Sequence, residues 1–260
     1  LRHRDVSAED LERCLAEHRR LLDAGAPGVI KDDGRSRLTR VENVLGKIVV
    51  KEVPSPPGAR RLLDLVRGGA ARRAFGASYG LETQGLNSPR ALAFLEFRAA
   101  LGVRGSILVS EDLGHLADAL TRTPTDPERC LPALTRALID LHRRGLDHGD
   151  LKATNILLRD AGDSESPTAS VEAVLLDLEG MRIRTRLTYR ERIEAMAELN
   201  ASLPGDVPNA LRVRAFDHYR TACFWACERE VALRDVALRS AQKAHRWEPD
   251  GCACLRGSGD

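Results

Sequence analysis

Long apolar runs are missing from this chain. None approaches the roughly 18 residues that a bilayer-spanning helix needs, and no charged-then-apolar leader opens it. Any membrane association is therefore expected to be peripheral. A charge excess of one sign is missing too: 40 basic against 38 acidic residues leave a net +2, too balanced to imply a nucleic-acid partner. The six cysteines, Cys14, Cys130, Cys223, Cys227, Cys252 and Cys254, are too few and scattered for a disulfide scaffold. Neither Cys223-x3-Cys227 nor Cys252-x-Cys254 is repeated as the matched pair of a zinc finger, so free thiols in a reducing cytoplasm are expected. Aromatics are scarce at 4%, yet 43% hydrophobic and 30% charged residues belong to a folded chain and argue against disorder. Internal repeats are absent. The sequence starts at Leu1, and an initiator segment is expected ahead of it.

What is present is enough apolar material, in 260 residues, for one large domain or two small lobes sharing a cleft. "VSAEDLERCLAEHRRLLDAG" reads as a helix with Ser7 as N-cap, Asp10 near the capping-box position, and an apolar stripe of Leu11, Cys14, Leu15, Leu21 and Leu22 that Gly25 ends. Residues 37–53 change to short β-like runs, with Ile48, Val49 and Val50 leading into Lys51, and "PSPPG" breaks the strand. Residues 60–84 read as helical, "ALAFLEFRAALG" and "SILVSEDL" as strands. Past Asp112 the character turns helical: "HLADAL", then "LPALTRALIDLHRRG" with Leu131, Leu134, Leu138 and Leu141 at helical spacing and Gly145 as the stop. After a polar stretch at 160–170, "VEAVLLDLEG" reads as a buried strand ending in an acidic turn. Helix dominates from 190 onward, ending in a frayed "GCACLRGSGD".

One stretch stands out. "LDHGDLKATNILL" (146–158) sets His148, Asp150, Lys152 and Asn155 between apolar segments. The D-L-x-x-x-N spacing resembles the kinase catalytic loop, in which an aspartate orients a hydroxyl nucleophile and an asparagine five residues on holds a metal ion. A strand ending at Asp177 offers a second carboxylate for Mg²⁺, and "IVVK" places Lys51 at a strand end, where an ammonium pairs with phosphates. Phosphoryl transfer asks the protein mainly for positioning and charge neutralisation. On this reading Asp150 is the base or orienting carboxylate, Asn155 and Asp177 are Mg²⁺ ligands, Lys152 is a cation near the γ-phosphate, and His148 braces the loop.

From about residue 36 to 220 the chain resembles the lipopolysaccharide kinase family, the bacterial Kdo and heptose kinases. The resemblance is carried by "IVVKEVP", "ILVSEDL", "LHRRGLDHGDLKATNILL", "VLLDLEGMRIR" and the helix-like "RERIEAMAELNASLPGDVPNALRVRAFDHYR" that follows without an A-P-E segment. It implies an α+β, two-lobed protein-kinase-like fold: an N-terminal helical extension (1–35), a small β-rich lobe (36–109) and a helical lobe (110–260). It further implies ATP and Mg²⁺ as cofactors, with Glu111 and Leu113 of the hinge and Gly46 and Lys51 of the small lobe holding the nucleotide. The implied partner is lipopolysaccharide or another hydroxyl-bearing anionic acceptor at the cytoplasmic face of the inner membrane, with no nucleic acid. Alternatives are a small-molecule kinase of the aminoglycoside or choline phosphotransferase type and a silent pseudokinase-like binding module.

The sequence departs from the family pattern in three places. Ala74 stands where a helix glutamate usually pairs with the strand lysine, which leaves Asp64, Glu82 or no partner for Lys51. No G-x-G-x-x-G precedes Lys51, only "VENVLGK" with Gly46. Asp177-Leu-Glu-Gly replaces D-F-G, making Glu179 a candidate third metal ligand or a hydrogen-bond acceptor. Arg182, Arg184 and Arg186 alternate beyond that turn and, if extended, share one side suited to an anionic acceptor; a solvated basic face is the competing reading. Cys223, Phe224, Trp225 and Cys227 read as helix core.

Overall fold

The structure is a computed structural model that describes residues 6–55, 58–99, 102–114, 116–161 and 170–244, with main chain alone for 59–62. The polar residues 162–169, Pro56 and Pro57 of the strand-breaking run, and the terminal "GCACLRGSGD" with Cys252 and Cys254 lie outside the described residues. The chain divides into two compact units. The first comprises Leu1–His115 and Leu178–Gly180, the second Leu116–Asp177 and Met181–Asp260.

The first unit is built on an antiparallel sheet. Its strands β1 (Val29–Asp32), β2 (Arg37–Asn43), β3 (Gly46–Pro54), β4 (Ala91–Ala99) and β5 (Gly102–Glu111) are ordered β1-β2-β3-β5-β4. Alternation along β3 decides which face each side chain meets. Ile48 and Val50 join Val41, Ala93, Ile107 and Val109 in a core closed by Cys14 and Leu21 of helix α1 (Ala8–Ala24). Ser7 caps α1 by accepting from the Asp10 N–H, and Gly25, at φ 55°, ends it. His18, also buried on α1, bonds Thr39 Oγ1 at 2.7 Å, a contact that the apolar stripe did not announce.

Lys51 points to the opposite face, in register with Leu38 and Leu108. Helix α3 (Ala70–Thr83) packs there through Phe75, whose ring lies 5.3 Å from that of Phe94. The helical reading of 60–84 resolves into α2 (Ala59–Arg67) and α3, broken at Gly68, whose φ of 82° no other residue adopts easily. The start of α3 has no cap of its own. The sheet supplies one: Glu96 Oε1 accepts from Gly69 N at 2.6 Å and Ser106 Oγ from Ala71 N at 3.1 Å.

In the second unit, Ala117 and Asp118 were expected in a helix but form a short strand, β6 (Ala117–Asp118), paired with Leu157 and Leu158. Asp118 then caps α4 (Ala119–Arg122) through Thr121 N at 2.8 Å; a side chain that caps a helix sits just outside it, in extended backbone. Helix α5 (Pro127–Arg143) buries Leu131, Leu134, Leu138 and Leu141 as its spacing predicts. Next come β7 (Leu146–Asp147), β8 (Ile156–Ala161), β9 (Ser170–Leu175), β10 (Arg182–Ile183) and helices α6 (Tyr189–Ser202), α7 (Asn209–Ala222) and α8 (Arg229–Ala241). Sheet order is β6-β8-β9, with β10 paired separately to β7.

Cys223–Cys227 is not helix core. Helix α7 closes with Cys223 N on Tyr219 O and Phe224 N on Thr221 O, Phe224 takes φ 46°, and its side chain is 87% exposed. Trp225 folds back, within 5.4 Å of the Tyr189 ring and 6.0 Å of Tyr219, and Cys223 and Cys227 are half-buried. Tyr219 in turn accepts from Arg192 Nη1 at 2.6 Å and contacts His142 Nδ1 at 2.6 Å. The four described cysteines are free thiols.

His142 is buried and its pKa is pushed down by that burial to about 3; burial lowers His18 and His148 as well. The folded chain disfavours the charged form of these rings, whereas the unfolded chain protonates them near pH 6.5. Stability is therefore complete above that pH and falls as the pH drops from about 6.5 toward the folded values. His142 alone is expected to remove about 2 kcal/mol between pH 7 and pH 5. Urea unfolding midpoints at the two pH values check this, and equal midpoints would sink it.

Candidate active site

In the second unit the chain between β7 and β8 forms a loop whose geometry is set by main-chain bonds. Gly149, at φ 79°, donates from N to Asp147 Oδ1 at 3.1 Å, turning the chain so that Asp150 follows. Lys152 N and Asn155 N close successive turns on Asp150 O (3.0 Å) and Lys152 O (2.9 Å). Ala153 N donates to Ser202 Oγ of α6 at 2.8 Å, which ties the loop to the helical body.

Within this loop the predicted residues meet. Asn155 Nδ2 donates to Asp150 O at 2.9 Å and to Asp150 Oδ2 at 3.0 Å. Lys152 Nζ lies 2.9 Å from Asp150 Oδ1. Both donors of the Asn155 amide are thus turned inward, and its Oδ1 is left as the acceptor. Asp177 sits on the next segment at φ 56°, an uncommon backbone for a residue with a side chain, and such strain gathers at functional sites. The position is enforced from both sides: Leu176 N donates to Asn155 O at 2.8 Å and His148 Nε2 donates to Leu176 O at 2.9 Å. His148 is buried, burial lowers its pKa against the opposing pull of the Leu176 carbonyl, and its bond to that carbonyl braces the loop. Asn155 Oδ1 and the Asp177 carboxylate are oxygen donors, the type that Mg²⁺ prefers over a softer ion.

In the first unit, Gly46 closes the β2–β3 hairpin at φ 90°, and Leu45 N donates to Asn43 Oδ1 at 2.8 Å. At the end of β5, Glu111 N bonds Arg90 O and Asp112 N bonds Lys47 O. Asp112 is also held by an ion pair to Arg40. Leu113 N has no hydrogen-bond partner among the described residues, which leaves it a donor for a ligand.

Lys51 finds its carboxylate on the D-L-E-G turn: Nζ is 3.4 Å from Glu179 Oε2. Asp64, expected as an alternative, instead takes Arg73 Nη1 at 3.1 Å, and Glu82 lies exposed near the end of α3. Arg73, which sequence reasoning passed over in favour of its neighbour Ala74, also donates from Nε to Glu179 O at 3.1 Å. The basic pair in "AARRAF" was the only signal for it. Beyond the turn, β10 covers Arg182–Ile183 and a bend follows at 185–186, so the extended run does not reach Arg186. Arg182 is 3.9 Å from Asp147, Arg184 is tied to Glu191 at 2.9 Å, and Arg186 sits exposed in a bend.

A model of the lipopolysaccharide kinase (Kdo/WaaP) family matches residues 69–214, more than half of the chain. The chain belongs to that family. This family protein is therefore placed among kinase enzymes, in agreement with the resemblance read from its motifs. A curated relative, the mitogen-activated protein kinase kinase SIPKK of Nicotiana tabacum, is 34% identical over 85 residues, 31% of this chain but only 24% of that protein's length. Among solved structures, WaaP in complex with acyl carrier protein is similar at 21% identity and a TM-score of 0.60, over 91% of this chain and 94% of that one. An aminoglycoside-3'-phosphotransferase of type VIII is similar at 16% identity and a TM-score of 0.53, over 86% and 98%. At these identities the likenesses show the fold, which is α+β, two-lobed and protein-kinase-like.

Proposed function

We propose that this protein transfers the γ-phosphate of ATP to a sugar hydroxyl of lipopolysaccharide core, on Kdo or heptose. The observation that carries the reading is the hydrogen-bonded set of Asp150, Lys152 and Asn155 in a chain of the lipopolysaccharide kinase family. The Asp150 carboxylate accepts the proton of the incoming hydroxyl and aims its oxygen in line with the phosphorus. Lys152, already beside Asp150, supplies positive charge to the transferring group. Asn155 Oδ1 and Asp177 would hold Mg²⁺, whose charge would neutralise the phosphate oxygens. Lys51 pairs with the phosphates, the turn at Gly46 lets main chain approach them, and the Leu113 N–H with the Glu111 main chain meets the adenine edge.

We assign residues 36–109 to nucleotide binding, 110–260 to chemistry and acceptor binding, and 1–35 to an extension of the same catalytic unit. Arg182 and Arg186, exposed beyond the Asp177 turn with Ile183 between them, suit an anionic sugar at a cytoplasmic membrane surface. No helix among the described residues is long and apolar enough to cross a membrane.

The test is transfer of γ-³²P from MgATP to extracted lipopolysaccharide, with an aminoglycoside and choline as parallel acceptors. Label is expected in the glycolipid. Label confined to a small acceptor would replace the acceptor class, and ATP binding with no transfer to any acceptor would favour a silent module.

A further inference from the structure

We infer that Glu179 is the residue that positions Lys51, in place of a helix glutamate, and that Arg73 is the latch that holds Glu179 in reach. This deepens the phosphotransfer reading and rests on its use of Lys51 for the nucleotide. A lysine ammonium is a strongly hydrated point charge on a flexible stem, and it stays extended toward a phosphate only if an anion fixes it. Helix α3 offers none at the usual place: its one acidic residue, Glu82, lies exposed near its end, and Ala74 is 7% exposed. Asp64 is engaged by Arg73 and by Ser55 Oγ at 3.5 Å.

The turn supplies what the helix lacks. Glu179 Oε2 reaches Lys51 Nζ at 3.4 Å, both side chains being partly buried at 34% and 23% exposed. The helix reciprocates with the opposite charge. The Arg73 guanidinium spans Glu179 O (3.1 Å), Asp64 Oδ1 (3.1 Å) and Gly68 O (2.6 Å), so α3 grips the main chain of the turn while the turn's side chain grips the lysine. The signs of the usual helix-to-lysine arrangement are thereby exchanged. Glu179, committed to Lys51, is a positioning residue and not a third ligand for Mg²⁺.

The two roles predict opposite signs. Removing a carboxylate close to a polyanion would, on charge alone, tighten metal-free ATP binding. A positioning role predicts weaker binding. We would titrate the full chain with ATP by calorimetry, without metal and then across Mg²⁺ concentrations, for wild type, Glu179→Gln, Lys51→Met, the double variant, and Arg73→Gln. Glu179→Gln is expected to raise the metal-free Kd about tenfold, the worth of one partly exposed charge-assisted hydrogen bond. In the Lys51→Met background it should add nothing further, and the Mg²⁺ midpoint should stay within about twofold of wild type. Arg73→Gln should weaken ATP in the same direction; an unchanged Kd overturns the latch. Additive losses, tighter metal-free binding or a shifted Mg²⁺ midpoint overturns the role of Glu179. Wild-type protein that binds no ATP would instead overturn the phosphotransfer reading, and the inference with it.

Discussion

Replacing Asp150 by Ala is expected to lower kcat for phosphate transfer to lipopolysaccharide by about 100- to 10,000-fold, the usual worth of a positioned general base, with ATP affinity nearly unchanged. The separation follows from where the bonds go. Asn155 keeps its hydrogen bond to the main-chain oxygen of residue 150 when the carboxylate is removed, so its side chain stays in place. Leu176 remains held by Asn155 O and His148, so Asp177 does not move either. What is lost is the proposed acceptor for the hydroxyl proton and the partner of Lys152, whose ammonium lies 2.9 Å away. With its side chain 36% exposed, Asp150 contributes little to packing, and the melting temperature should change by no more than a degree or two. Single-turnover kinetics with saturating acceptor separate the chemical step from binding. Activity within tenfold of wild type would remove Asp150 from the chemistry; a matching loss of ATP affinity would make its role structural.

The largest expected stability loss comes from a glycine. Gly145 takes φ 71° between α5 and β7, and a Cβ built on it would stand 2.1 Å from the carbonyl oxygen of Arg184. That approach is forced by pairing: Arg184 N donates to Gly145 O at 2.7 Å, continuing the β7–β10 register of Asp147 with Arg182 and Leu146 with Ile183. Gly145→Ala must bear the left-handed backbone, about 1–2 kcal/mol, and push β10 off β7, about 1–3 kcal/mol more. Thermal unfolding should drop by roughly 10 °C. Gly85, at φ 69° with nothing within 4 Å of its Cβ, is the control. Gly85→Ala should show the backbone part alone. Equal losses for the two would mean that the β7–β10 contact yields without resistance. Because residue 145 stands just before the catalytic loop and β10 just after the Asp177–Glu179 turn, kcat should fall in Gly145→Ala and not in Gly85→Ala.

What could be read from the residues depended on how far apart the partners lie along the chain. Helix α1 was legible from end to end, since an N-cap serine, an apolar stripe and a closing glycine act within a few residues of one another. The group of Asp150, Lys152 and Asn155 was legible for the same reason: the bonds among them join residues two to five apart. Where a distant element intervened, local pattern misled. Ala117 and Asp118 look helical until β8 offers an edge to pair with, and the thiol and aromatic cluster at 223–227 looks like core until α7 ends beneath it, leaving Phe224 in water.

By itself the sequence determined helix α1, the buried stripe of α5 and the hydrogen-bonded group of Asp150, Lys152 and Asn155, because capping, periodicity and short-range hydrogen bonding are local physics. Tertiary structure alone decided which carboxylate meets Lys51. Asp64 and Glu82 are nearer in the chain, but Arg73 engages the first and the second stays exposed, whereas Glu179, 128 residues away, is delivered to the lysine by a turn that Arg73 holds. An ion pair is chosen by distance in space and by competition among neighbouring charges, and neither is written in the spacing of residues along a chain.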